Sequence, residues 1–196
     1  MGRMSTDQLS VFFGLLAVGA LALGGLALVG SVVSRIGQRA VELRPLLLPL
    51  AFVVAVLATA GSLYYSEIAH YTPCELCWYQ RICMYPLTVV LGVALLRRDD
   101  RGGLYALPLA VAGLGVSIYH YQLQMFPEQG SSCDTVAPCT FQWVDTLGFM
   151  SIPFMAGCGF LAVIGLATLS LRLDSQPDNG DDVDELVGPP TSEVLR

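Results

Sequence analysis

Two cysteine pairs define the chemistry open to this sequence. Cys74 and Cys77 stand three positions apart in Pro73-Cys74-Glu75-Leu76-Cys77-Trp78-Tyr79-Gln80-Arg81, where a polar segment gives way to an apolar run. Thiols at that spacing close into a disulfide and reopen, so the pair can accept two electrons and pass them on. Pro73 suits a helix start, and a cysteine in a first helical turn feels the positive end of the helix dipole. Arg81 follows Cys77 by four residues and shares its helix face. A cation there favours a reactive thiolate or holds the oxygen of an electron acceptor; its bland role is to snorkel back to lipid headgroups.

The second pair lies in Cys133-Asp134-Thr135-Val136-Ala137-Pro138-Cys139, with Pro138 helping the loop turn back. A disulfide needs Cα atoms within about 7 Å, which such a loop can reach. Alone it reads as a static staple; beside the first pair it can be the second station of a dithiol relay. The competing chemistry is a closed zinc site using Cys74, Cys77, Cys133 and Cys139 as four thiolate ligands. His120, in Ser117-Ile118-Tyr119-His120-Tyr121-Gln122, is either a satisfied polar residue near an interface or a proton donor to a reducible ring near Cys77. His70 reads as a loop residue, and Cys83 and Cys158, inside apolar runs, read as small packing residues.

The elements that must position these groups are membrane spans. Crossing about 30 Å of hydrocarbon takes roughly 20 apolar residues in a helix. Runs at about 10–34, 46–69, 78–96, 104–125 and 148–171 meet this requirement. Pro86, Pro108 and Pro153 fall within them, where each removes one helix hydrogen bond. The first run resembles a secretory leader in having Arg3 ahead of an apolar core. Its length, and the arginines that cleavage would leave outside, favour a retained helix.

Arginines set the expected orientation. Arg35, Arg39 and Arg44, then Arg97, Arg98 and Arg101, then Arg172 border the spans on one side, whereas 70–77 and 126–147 contain no Arg or Lys. The positive-inside rule makes the arginine side cytoplasmic, with the N-terminus and both cysteine pairs outside and the C-terminal tail inside. Tyr64, Tyr65, Tyr71, Trp78, Tyr79, Tyr119, Tyr121, Phe126 and Trp143 gather at the outer level, as belt residues do. The net charge of −6 is local: nine acids and nine arginines precede residue 174, and 174–196 carries seven acids and one arginine. That tail is too polar to bury a core and is expected to be disordered. No basic patch points to nucleic acid.

Across Cys74-Glu75-Leu76-Cys77-Trp78-Tyr79-Gln80-Arg81-Ile82 and Met84-Tyr85-Pro86 the chain resembles the DsbB family of membrane thiol oxidoreductases. The short second pair, with Trp143 and Gly148-Phe149-Met150-Ser151-Ile152-Pro153 after it, is similar to the BdbC-type branch. The resemblance covers roughly 46–171. It implies an all-α membrane protein with a DsbB-type four-helix bundle over 46–173; the N-terminal helix with its arginine loop (1–45) has no counterpart in that pattern, and the acidic tail (174–196) is also extra.

The resemblance further implies a thiol:quinone oxidoreductase with ubiquinone or menaquinone as acceptor and a separate extracytoplasmic thioredoxin-fold partner. Cys133 would form the mixed disulfide with the partner, Cys139 would exchange with Cys74, and Cys77 would face the quinone ring. Arg81 matches the family arginine beside the quinone, and His120 matches a family histidine. Gln80 occupies a position that is acidic in some members. The competing readings are a quinone-reducing relative of vitamin K epoxide reductase, in which the CxxC usually comes late in the bundle, and a membrane scaffold or zinc-binding protein with structural cysteines.

Overall fold

Each apolar run forms a helix, and local chemistry explains where most of them begin and end. The computed structural model describes residues 6–33, 41–129, 138–145 and 148–175. Cys133, Arg35, Arg39 and the tail from 176 onward lie outside the described residues. The helices are α1 (Thr6–Val32), α2 (Arg44–Leu63), α3 (Glu75–Arg97), α4 (Gly102–Met125) and α5 (Ile152–Asp174). All five are long and apolar enough to cross a membrane, and the chain is a multi-pass membrane protein.

Proline sits in the first turn of α2 and again of α5, where its missing N–H costs nothing. Pro153 therefore opens the last helix at Ile152 and does not interrupt a span begun at 148, which corrects the reading from hydropathy. Pro86 and Pro108 do lie inside α3 and α4, and Pro49 lies inside α2. Past Leu63, α2 widens into a π-helical turn over Tyr64–Ile68. Arg98 closes α3 in the left-handed conformation, with φ 54°. The tight turn to α4 brings Gly102 against Ala94, where a Cβ would not fit.

Helix α5 is the centre of the bundle. It packs along α1, α2 and α4, while α3 closes the ring between α2 and α4. Its most apolar window is 56% buried against 22–33% in the other four helices, so α5 faces protein where they face lipid. Leu87 and Leu91 of α3, Ala51 and Ala55 of α2, Ala106 and Ala110 of α4, and Phe160, Val163 and Leu166 of α5 form the core. Lipid tails are as apolar as these side chains, so close fit holds the helices together rather than any escape from water. Phe160 lies across Gly113, whose missing Cβ makes room for the ring.

The first helix attaches by the same rule. A Cβ at Gly24 would stand 2.7 Å from the Cα of Ala162, and Gly165 lies against the carbonyl of Gly24. Gly14 abuts Met150 in the same way. The paired positions advance together, so α1 runs parallel to α5. At the opposite end from the cysteines, Arg44 ties the start of α2 to the end of α5 through Asp174 at 2.5 Å, with Asp100 at 3.6 Å.

Candidate active site

Cys74 is the N-cap of α3: its extended backbone lets its Sγ accept a hydrogen bond from the Cys77 N–H at 3.4 Å. The same turn brings the two sulfurs to 3.1 Å, and both thiols are free. The CxxC spacing thus serves capping and pairing at once, because a cap sulfur and the third helical residue necessarily meet.

One polar stripe of α4, Ser117, His120 and Gln124, organises the cysteine end. His120 is 1% exposed, and its Nε2 lies 3.6 Å from Cys74 Sγ and 3.1 Å from the carbonyl oxygen of Cys139. A carbonyl can only accept, so Nε2 carries the proton and faces both cysteine segments. Among the described residues its buried Nδ1 has no hydrogen-bond partner. Gln124 Nε2 donates to the Phe141 carbonyl at 3.3 Å, which holds the 138–145 segment down on α4. Ser117 Oγ accepts from Gln80 Nε2 at 3.0 Å, so Gln80, uncharged and buried, ties α3 to α4. Cys139 is disulfide-bonded and fully buried, and it packs with Cys74 and Leu123.

These contacts favour charge on Cys74. The hydrogen bond from the Cys77 thiol pulls its pKa well below the ordinary thiol value; burial opposes this, and His120 adds to the lowering. Sequence spacing favours Cys77, next to Arg81, as the thiolate. In the folded chain the hydrogen-bond donors converge on Cys74.

Arg81 faces the other way. Its Nε donates to Ser62 Oγ at 3.0 Å and its Nη2 to the Ser62 carbonyl at 3.2 Å, while the guanidinium lies 5.2 Å from the centre of the Trp78 ring. Ser62, Cys77, Gln80 and Arg81 are among the polar residues that line a mostly apolar cavity of about 360 Å³ between α1, α2, α3 and α5. Tyr65, Tyr71 and Trp143 also line it. Tyr65 stacks on Tyr71 at 5.7 Å, and Tyr71 on Trp143 at 5.1 Å. Cys77 borders this cavity and also a narrow cleft that it shares with Cys74, His120 and Gln124. His120 lines the cleft and is not among the residues of the cavity.

The dithiol thus separates two compartments, with the Cys139 loop and His120 on one side and the apolar cavity with Arg81 on the other. A sequence profile described as "Disulfide bond formation protein DsbB" matches residues 44–173, about two thirds of the chain. The chain belongs to the DsbB family. Among its DsbB relatives, the "Probable disulfide formation protein" of Oceanobacillus iheyensis is 50% identical over 129 residues, 64% of this chain and 89% of that one. The "Disulfide bond formation protein C" of Bacillus subtilis is 46% identical over 116 residues, 58% of this chain and 84% of its own length. No solved structure matches. DsbB membership makes the chain a disulfide-generating membrane oxidoreductase, with α1 outside the matched region.

Of the residues singled out from sequence, Cys74, Cys77, Cys139 and His120 come together, and Arg81 joins them through Cys77; Cys133 lies outside the described residues. His70 is a loop residue with φ 56°. Cys83 and Cys158 are free thiols at packing positions in α3 and α5. Sequence reasoning misses Ser117 and Gln124, although polar residues three and seven positions apart on an apolar span are a readable signal. It also reads Tyr65, Tyr71 and Trp143 as belt residues, because stacking between separate loops leaves no local pattern.

Proposed function

We propose that this chain is a thiol:quinone oxidoreductase that recharges a separate thioredoxin-fold oxidase on the extracytoplasmic face. One observation carries the reading: Cys77 lines the apolar cavity together with Arg81, while its partner Cys74 packs on Cys139. A cysteine pair so placed can, as a disulfide, take two electrons from a reduced protein dithiol on one side and, as the resulting dithiol, deliver them to a membrane-soluble acceptor on the other. The cavity suits a ring with an apolar tail: aromatic rings stack over its cysteine end, the Arg81 guanidinium and the Gln80 side chain border it there, and most of the remaining lining is apolar.

For each disulfide made, the partner's two thiols lose two electrons and two protons. Cys133–Cys139 is reduced by exchange with the partner, with Cys133 forming the mixed disulfide, and is then closed again by exchange with oxidised Cys74–Cys77. Bound in the cavity, a quinone (ubiquinone or menaquinone) supplies the two-electron, two-proton acceptor that ends as quinol. The protein's part is to hold Cys77 at the cavity, to aim the Arg81 guanidinium at an acceptor oxygen, and to support the Cys74 thiolate with the His120 N–H. About 30 mV of potential difference per step drives a two-electron exchange roughly tenfold, so small gaps suffice. The arginine-bearing helix ends support a cytoplasmic position for that end and for the tail, leaving the cysteines outside.

The test is direct. Purified protein with a reduced thioredoxin-fold partner should consume quinone one for one with partner disulfide formed, followed by quinone absorbance. Cys77→Ser should abolish this turnover, and turnover unaffected by that change would refute the reading. A second reading has one observation behind it: the donor atoms of Cys74, Cys77 and His120 lie within 4.8 Å of one another, a set a soft metal ion could use. Stoichiometric zinc in protein purified without chelators, lost in His120→Ala, would favour it.

A further inference from the structure

We propose that α1 is the wall that recognises the apolar tail of the acceptor, leaving the ring to the 44–173 core; this rests on the quinone reading above. The cavity is divided along its length. Ser62, Cys77, Gln80 and Arg81 lie toward the cysteine end, where the Tyr85 hydroxyl also meets Ser62, and the lining continues from Tyr65 in the π-helical turn down α2 to Val54. That stretch is about 16 Å of helix rise, deep enough for a ring followed by a hydrocarbon chain. Over this depth α1 contributes Leu16, Gly19, Ala20 and Leu23, all apolar and two of them small. A wall of this kind offers dispersion contact along a hydrocarbon chain and no hydrogen bond to a ring.

The helix is seated firmly enough to act as a wall. Gly24 holds it to Ala162, and at the cysteine end Phe13 packs over Gly61 and Tyr65. The buried Tyr65 hydroxyl donates to Ser10 Oγ at 3.2 Å, tying the aromatic stack to α1. Both anchors leave Gly19 free: it lines the cavity, and a Cβ built there meets nothing within 4 Å. The same open space surrounds a Cβ at Gly25, which does not line the cavity. The two glycines therefore form a matched pair for substitution.

The experiment measures equilibrium binding by quenching of tryptophan fluorescence, alongside turnover, for a polyprenyl quinone and for the same ring without its tail. The protein as a whole is compared with Gly19→Phe, Ala20→Phe and the control Gly25→Phe. Filling the wall should raise the Kd of the tailed quinone about tenfold more than that of the tailless one, the factor expected from losing burial of roughly two methylenes. Gly25→Phe should leave the ratio at its starting value. Stoichiometric exchange of each oxidised variant with the reduced partner shows that it is folded. Equal changes for both quinones in Gly19→Phe and Ala20→Phe, or an equal change in Gly25→Phe, would overturn the role of α1 while leaving the oxidase reading standing. Failure of the unaltered protein to bind either quinone would overturn the quinone reading itself.

Discussion

The Nε2 of His120 lies between the two cysteine pairs, 3.6 Å from the sulfur of Cys74 and 3.1 Å from the carbonyl oxygen of Cys139. One imidazole N–H therefore touches the sulfur of the first cysteine pair and the backbone of the segment that carries Cys139. Because Cys74 is held well below the ordinary thiol range, first by the Cys77 thiol and then by His120, its thiolate should persist as pH falls. In the reduced protein, alkylation of Cys74 should remain fast below about pH 8.5, where a free thiol slows, and fail only as pH passes the lowered pKa.

His120→Ala removes one donor and should move that alkylation profile upward in pH, each unit costing about tenfold in thiolate at a fixed acidic pH. The linked stability has the same sign. A depressed acid stabilises the fold above its unfolded pKa of about 8.5, and the benefit is lost as pH falls toward the folded value. An unchanged profile in His120→Ala, followed by mass spectrometry of alkylated Cys74, would remove the histidine from this role.

Arg81 is held by Ser62 through both its hydroxyl and its carbonyl, at the rim that Cys77 shares. Arg81→Ala should raise the quinone KM about ten- to a hundredfold, the range for losing one charged hydrogen bond. Exchange between pre-oxidised protein and reduced partner should stay within about twofold of normal, because Arg81 is absent from the cleft that borders Cys74. Ser62→Ala should give a smaller rise of a few-fold, since the carbonyl still holds Nη2. Initial-rate kinetics with each substrate varied separates the two effects.

Trp143 closes the cavity through its stack on Tyr71, at 5.1 Å and 19° between planes. Trp143→Ala should loosen the 138–145 segment and raise the quinone KM by a few-fold, with a stability loss of about 0.5–1.5 kcal/mol from the lost aromatic pair in addition to its buried area. Trp143→Phe should restore most of both. Thermal unfolding in detergent and steady-state kinetics measure the two components.

Gly113 is the position where α4 admits the Phe160 ring, itself fully buried in the core. Gly113→Ala should destabilise the bundle by about 1–3 kcal/mol through overpacking. Phe160→Leu should compensate part of that loss, making the double variant more stable than the sum of the single changes predicts. Additive losses in thermal unfolding would show that the ring does not depend on the glycine.

Much of the site is legible in the amino-acid sequence. Pro73, the CxxC spacing and the apolar run that follows place a dithiol at a helix start, and Cys74 fulfils this as N-cap. The positions of Cys83 and Cys158 inside apolar runs mark them as packing residues. Other features are out of reach for definite reasons. Pro153 looks like an interruption because hydropathy continues across Gly148–Ser151, and only the chain's path there puts the helix start at Ile152. For His120 the sequence leaves two roles open, a satisfied polar residue or a donor to a reducible ring, and the side it faces depends on how α4 rotates against α3.

The sequence by itself determined the spans, the placing of arginines at one set of helix ends and the chemistry of the cysteines, since these follow from local composition and spacing. Tertiary structure alone decided which faces meet. A helix apolar on all sides carries no hydropathic mark of its inner face, and lipid gives it no reason to hide one. The choice falls to close packing: Gly24 against Ala162 sets α1 on α5, Gly113 admits Phe160, and the space left beside Gly19 becomes the cavity at Cys77.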